Sequence, residues 1–321
     1  MKYPIGIQNF EQIIEDGYVY VDKTDLVYTM VDTGKIYFLS RPRRFGKSLL
    51  VSTLKNYFLG RKELFKGLAI DSLEKDWFVY PVFHIDFNGR NFEGSDVLEN
   101  VLEGYVSRWE REYGFASGSR DVGERFILLL EHVHRQTGRR AVVLVDEYDK
   151  PMLDVLDTDL RVMVGLNEMS LEDRNRGILK GFYSVFKAAD EHLQFVLLTG
   201  VTKFSQVSVF SGFNQPRDIS LDEQFESLCG ITGEELESYF ATSIEELARK
   251  NELTLEEMKQ LVKAQYDGYH FGTGLIDIYN PFSLLNAFTS KRISDYWFQS
   301  GTPTYLVRLL RHTRENLDEM T

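Results

Sequence analysis

The sequence predicts an α/β protein: a parallel sheet with helices on both faces, followed by a mainly helical second domain. Three observations lead there. Short apolar runs alternate with amphipathic stretches between residues 36 and 199, the pattern of strands joined by crossover helices. The strand signal largely disappears after about residue 222, which sets expected domains at 1–222 and 223–321. No internal repeat or low-complexity tract interrupts either part.

The elements follow in chain order. "IYFLS" (36–40) is an apolar strand, and the "SLLVSTLKNYFL" that follows its loop places Leu50, Leu54, Tyr57 and Phe58 on one helical face. "VFHIDF" (82–87) is a second strand, followed by a helix capped by Ser95 with Leu98, Val101, Leu102, Tyr105 and Trp109 as its stripe. Phe126, Leu129, Leu130 and Val133 mark a helix that stops near Gly138, and "AVVLV" (141–145) is a continuous apolar run of the kind buried in parallel sheets. Ile178, Phe182, Val185, Phe186 and Ala189 form the next stripe, ahead of a fourth strand, "FVLLT" (195–199). In the second domain, Thr232 with Glu235 and Thr254 with Glu257 read as capping boxes; Asn280 with Pro281 and Thr302 with Pro303 open two more helices. "YHFGTGLIDIY" between them reads as a small hairpin turning at Gly272–Gly274, so the expected arrangement is of winged-helix type.

Composition narrows the function classes. A 321-residue chain with 43% hydrophobic residues fills a sizeable core. Its 49 acidic and 37 basic residues give a net charge of −12, which disfavours nucleic-acid binding outside a local basic patch, and no such patch stands out. A single cysteine, Cys229, excludes an internal disulfide framework and a multi-cysteine metal site. The N-terminal segment lacks the apolar core of a signal peptide, and no apolar run reaches the roughly 20 residues that span a bilayer, so a cytoplasmic protein without a membrane segment is expected.

The chemistry concentrates in "RPRRFGKSLL" (41–50) and "AVVLVDEYDKP" (141–151). The first ends like the phosphate loop G-x-x-x-x-G-K-[ST], although Arg41 stands at the first glycine; an ordinary backbone conformation at Arg41 is all that departure demands. Such a loop aims backbone N–H groups and a helix N-terminus at phosphates. The nucleotide-binding candidates are Arg43, Arg44, Phe45, Gly46, Lys47, Ser48 and Leu49, with Lys47 reaching the β and γ phosphates and the Ser48 hydroxyl binding Mg²⁺. A basic turn before a helix is the bland alternative; what weighs against it is the second motif, where Asp146 ends an apolar strand and belongs in the Mg²⁺ shell. Glu147 is the candidate base for the attacking water, and "DEYD" is otherwise a solvated acidic turn. A full strand and helix lie between the two motifs, which fits the P-loop NTPase division with sheet order 5-1-4-3-2. Thr199, at the end of the fourth strand, is the favoured sensor of the terminal phosphate, ahead of Thr202 and Lys203. Capping of the turn at Gly200 is the equal alternative for Thr199.

Other residues carry less. His84 and Asp86 lack a third ligand for a metal, while His132 and His134 point apart on a helix and read as surface residues. Arg217 is a weaker candidate for a charge-stabilising arginine. No G-x-S-x-G elbow and no histidine partner for Cys229 support a serine or cysteine hydrolase.

Taken in order, "PIGIQNFEQIIEDGYVYVDKT", "SRPRRFGKSLL", "LVDEYDKP", "LLTGVTKFS", "DISLDE" and "YDGYHF" followed by "YNPFSLL" resemble the successive motifs of a bacterial AAA-ATPase-like family, over nearly the whole chain. Arginine at the first loop position is that family's own form. The resemblance implies ATP and Mg²⁺ as cofactors, Lys47 and Ser48 as phosphate and metal residues, Asp146 and Glu147 as metal and water residues, and "YVYVDKT" near the adenine. Family members usually continue into a PD-(D/E)xK nuclease-like domain; no such pair is visible in residues 1–321, and no nuclease centre is assigned to them. The leading expectation is therefore an ATP-hydrolysing module that regulates or drives an attached or partner effector, as a monomer or homo-oligomer. Two alternatives stand beside it: a nucleotide-gated switch with little hydrolysis, and a DNA-binding adaptor, against which the acidic charge weighs.

Overall fold

In the computed structural model, the residues described are 1–202, 216–274 and 276–297. A central parallel sheet runs through strands β1 (Ile36–Ser40), β2 (Val82–Asp86), β3 (Ala141–Asp146), β6 (Leu193–Gly200) and β7 (Arg217–Asp218), with neighbours in the order β2-β3-β6-β1-β7. Two strands outside that sheet, β4 (Arg161–Val164) and β5 (Asn167–Ser170), form an antiparallel hairpin. The chain-order numbering accordingly differs from the expected 5-1-4-3-2, because this hairpin is inserted between the third and fourth central strands. Without the hairpin, the central strands neighbour one another as 2-3-4-1-5.

The chain divides into two compact units, one holding Met1–Val79 with the described part of Asp218–Gly301, the other Tyr80–Arg217. In the first unit, helix Lys47–Phe58 buries Leu50, Val51, Leu54, Tyr57 and Phe58. The capping boxes at Thr232 and Thr254 both form, opening helices Gly233–Lys250 and Leu255–Tyr266, and Asn280 caps Pro281–Ser290. Their apolar faces enclose a core around Phe240, Ile244, Met258 and Leu284, against which the N-terminal Tyr3, Ile5, Val19 and Val21 pack. A two-stranded ribbon pairs β8 (Ile231–Thr232) with β9 (Ile278–Tyr279). Tyr269 bridges Ile278 across the expected hairpin, whose Leu275 lies outside the described residues, as does the helix expected at Thr302.

The second unit is built on β3, whose every residue is buried, flanked by β2 in parallel register that sets Asp86 beside Asp146. Phe83 meets Trp109 edge-on at 5.0 Å, and Trp109, Phe126 and Phe182 stack in succession with ring centroids 5.4 and 5.5 Å apart. Three local expectations are corrected. Asp96 rather than Ser95 precedes the helix Val97–Glu112, and it makes no side-chain cap. The stripe from Ile178 to Ala189 is split into Leu171–Tyr183 and Val185–Ala188. His132 and His134 are half-buried rather than superficial: His132 stacks on Phe115, and His134 Nδ1 lies 3.0 Å from His192 Nδ1.

Candidate functional site

The first unit carries the phosphate-loop candidates. β1 leads into the loop, and Gly46 sits at φ 95 as the N-cap of helix Lys47–Phe58, with no side-chain cap and no acidic residue in the first turn. Uncapped N–H groups and the positive helix end are thereby left for an anion. Arg44 is the other left-handed residue, at φ 70; Arg41 has no positive φ, so the first loop position needs no glycine. Lys47 is buried, and its ammonium donates to the carbonyls of Arg41 (3.0 Å) and Pro42 (3.2 Å). Ser48 and Leu49 are half-buried on the first turn of the same helix.

Several loop side chains turn the other way. Phe45 is buried edge-on against Tyr269 and Phe271, at 4.7 and 5.4 Å. Arg44 lies over the Phe282 ring at 4.7 Å, and the Arg43 carbonyl accepts from Trp297 Nε1 at 3.3 Å. Phe45, Arg43 and Arg44 can therefore serve a ligand through backbone N–H groups more readily than Phe45 and Arg44 can through their side chains. Arg41 is fully buried. Its Nη1 donates to Ser40 O (3.1 Å) and Ser220 O (2.5 Å), its Nη2 donates to Phe225 O (3.2 Å), and its guanidinium stacks 4.1 Å from the Phe271 ring centre. Burial lowers its pKa, opposed by the charges of Cys229, Asp218 and Glu226.

Beside Gly46 and Leu49 lies a cavity of about 110 Å³, walled mainly by apolar groups from Val19 and Val21, Leu228 and Leu285. Lys23 is the charged residue of its lining, and its ammonium is held by the Glu235 carboxylate that also completes the Thr232 capping box. Tyr20, also in the wall, is hydrogen-bonded to Thr53; burial of the phenol raises its pKa far above the usual value, so it stays neutral.

The second unit carries the acidic pair. Asp146 is 2% exposed, and its Oδ1 accepts from the fully buried Thr199 hydroxyl at 2.5 Å; among the described residues no donor reaches its Oδ2. Glu147 is half-exposed and held at φ 52, a left-handed conformation that carries strain for a side chain of this kind. Asp149 is 1% exposed and its Oδ2 accepts from the N–H groups of Val201 and Thr202 and from the Thr202 hydroxyl, at 3.0, 2.8 and 2.8 Å. The Tyr148 hydroxyl donates to Thr202 O, and a Cβ on Gly200 would come within 2.4 Å of the Tyr148 ring. "DEYD" is thus no solvated turn: two of its carboxylates are buried and fasten the end of β6 to the end of β3. Asp149, Tyr148 and Gly200 were not singled out from the sequence. Their signal, a carboxylate three residues past a strand-end aspartate and a glycine after a strand-end threonine, is shared by many ordinary turns.

Of the remaining candidates, Arg217 is exposed on β7 and Lys203 lies outside the described residues. No group of three or more His, Cys, Asp or Glu side chains that could hold a metal ion occurs among the described residues. No described helix is long and apolar enough to cross a membrane.

Residues 4–210 match the model of a family described as predicted AAA-ATPase. The chain is also 41% identical over 315 residues to an "uncharacterized protein in vnfD 5' region" of Azotobacter chroococcum mcd 1, an alignment covering 98% of this chain and 57% of that relative. It spans little more than half of the relative's length.

Proposed function

We propose that this chain, which belongs to the AAA-ATPase-like family, binds ATP with Mg²⁺ at the start of helix Lys47–Phe58 and hydrolyses it. The observation that carries the reading is the uncapped helix N-terminus presented by Gly46, with the Lys47 ammonium folded over the loop carbonyls and an apolar cavity alongside. Backbone N–H groups of residues 44–48 and the Lys47 ammonium hold the phosphates, and the cavity takes the adenine. A flat heterocycle suits its apolar walls, and the neighbouring "YVYVDKT" supplies one of them.

The donors assigned to Mg²⁺, the Ser48 hydroxyl and the Asp146 carboxylate, are each hard oxygen ligands of the kind it prefers. When bound it would supply positive charge that offsets the charge of the phosphates. Thr199 holds Asp146 in one orientation, so its first part is to position that carboxylate, and sensing of the terminal phosphate would act through it. Glu147 accepts a proton from the water whose oxygen bonds to the γ phosphorus as the bond to the bridging oxygen breaks and ADP leaves. Catalysis here is positioning and charge stabilisation. The mainly helical C-terminal domain, of winged-helix type, acts as a lid, and turnover drives or regulates an effector, nuclease-like in the family's usual arrangement, in a cytoplasmic setting.

Calorimetric titration with Mg·ATP together with steady-state phosphate release tests the assignment. Wild type should bind and turn over, while Glu147→Gln should bind with unchanged affinity and lose turnover by about 10²-fold or more. Absence of heat on titration sinks the ATP reading. Binding without phosphate release favours the switch instead, a reading supported by Lys47 resting on its own loop and needing to leave it for a ligand.

A further inference from the structure

We infer that Arg41, the residue that stands at the first glycine position of the phosphate loop, is a positioning residue that transmits occupancy of the loop to segment 218–228. The inference rests on the ATP reading above and adds how binding is read out. Its basis is that one residue makes two sets of contacts. The Arg41 carbonyl accepts from the Lys47 ammonium, while the Arg41 guanidinium donates to Ser220 O and Phe225 O and stacks on Phe271. Lys47 must give up the Arg41 carbonyl to reach phosphates. That release alters the backbone at Arg41, and a buried, forked guanidinium cannot follow a backbone shift without moving the carbonyls it holds.

The surroundings are built for such a linkage. Ser40 N donates to the Ser220 hydroxyl and Ile219 N to Phe38 O, so the segment is laced to β1 directly before the loop. Phe225 O accepts from Leu228 N as well as from Arg41, and Leu228 to Ile231 contribute to the wall of the cavity. On the far side of the guanidinium, Phe271 also packs against Phe45 of the loop, and the Glu226 carboxylate is buried against Gly272 and Gly274. A glycine at position 41 would bind phosphate with the same backbone and would lack all of these side-chain contacts. The arginine is needed for linkage rather than for phosphate.

The test is hydrogen exchange of the backbone amides of 219–228, measured with and without saturating Mg·ATP, beside a calorimetric titration. In wild type, Mg·ATP should slow exchange in this segment severalfold. Arg41→Gly, which restores the common loop pattern, should keep Mg·ATP affinity within about tenfold and lose the exchange response, since coupling between sites is a free energy separate from affinity at either one. A merely structural arginine would change exchange equally with and without nucleotide. Phe271→Leu, which leaves the loop sequence intact, serves if Arg41→Gly does not fold, and should weaken the response in the same way. Wild type saturated with Mg·ATP but showing unaltered exchange at 219–228 overturns the inference, as does an undiminished response in the variant that folds. No heat on titrating wild type removes the ATP reading itself, and this inference with it.

Discussion

Lys47 and Gly200 show how far single residues can be read. The Lys47 ammonium donates to two carbonyls of its own loop, and replacing it removes charge-assisted bonds to phosphate. Lys47→Met should lose Mg·ATP affinity by about 1.5–3 kcal/mol, roughly 10- to 100-fold, as read by calorimetry. Gly200 has no positive φ; it is required by proximity, because a Cβ there meets the Tyr148 ring at 2.4 Å and the Asp149 carboxylate at 2.9 Å. Gly200→Ala should cost about 1–3 kcal/mol in urea unfolding, the range of overpacking in a filled core. Neither neighbour is adjacent to Gly200 in sequence, which is why the glycine reads from the chain only as a turn residue, whereas Lys47 is announced by Gly46 before it and Ser48 after it.

At the scale of elements, the helix starts of the C-terminal region follow local chemistry. Thr232 and Thr254 accept from the N–H groups three residues on, and Glu235 and Glu257 return the bond. Thr254→Ala removes an exposed cap and should lower stability by about 1 kcal/mol in chemical denaturation. Glu235 has a second duty in holding Lys23, so Thr232→Ala loosens the cap while that ion pair remains. The helix Val122–Thr137 meets the turn before β6 through His134 and His192, and burial, then His192, then Arg140 lower the His134 pKa, with Glu191 opposing. An unfolded histidine titrates near 6.5. Because the folded value lies below that, the unfolded chain binds the proton first: this contribution to stability is complete above about pH 6.5 and is lost as the pH falls below it. Urea midpoints at pH 7.5 and 5.5 check the sign, and His134→Gln should flatten the acid-side loss. The pairing is invisible in the sequence, where the two histidines lie 58 residues apart.

For the molecule as a whole, ligand binding and unfolding are linked. A ligand that binds only the folded protein adds about 2.7 kcal/mol at 100-fold above its Kd, so Mg·ATP should raise the unfolding temperature by a few degrees, and chelating Mg²⁺ should remove most of that rise. A scan that resolves separate transitions would show which of the two compact units the nucleotide stabilises. The phosphate-loop candidates, the cavity and Arg41 all belong to the unit that contains both chain segment 1–79 and the described residues from 218 onward. A boundary drawn along the chain near residue 222 follows the fading strand signal; proximity in space instead joins the N-terminal segment to the helices after it, because Tyr3, Val19 and Val21 complete their apolar core.

Periodicity, caps and two motifs were enough to read from the chain the alternation of strands and helices, the helix after Gly46 and the buried strand ending in Asp146, because each depends on residues within a few positions of one another. Tertiary structure alone decided that Arg41 lies under Phe271, that Asp149 holds the turn after Thr199, and that an inserted hairpin stands between the third and fourth central strands. Those outcomes depend on where distant segments come to rest, and a buried polar group finds its partner by proximity in space, wherever along the chain that partner lies.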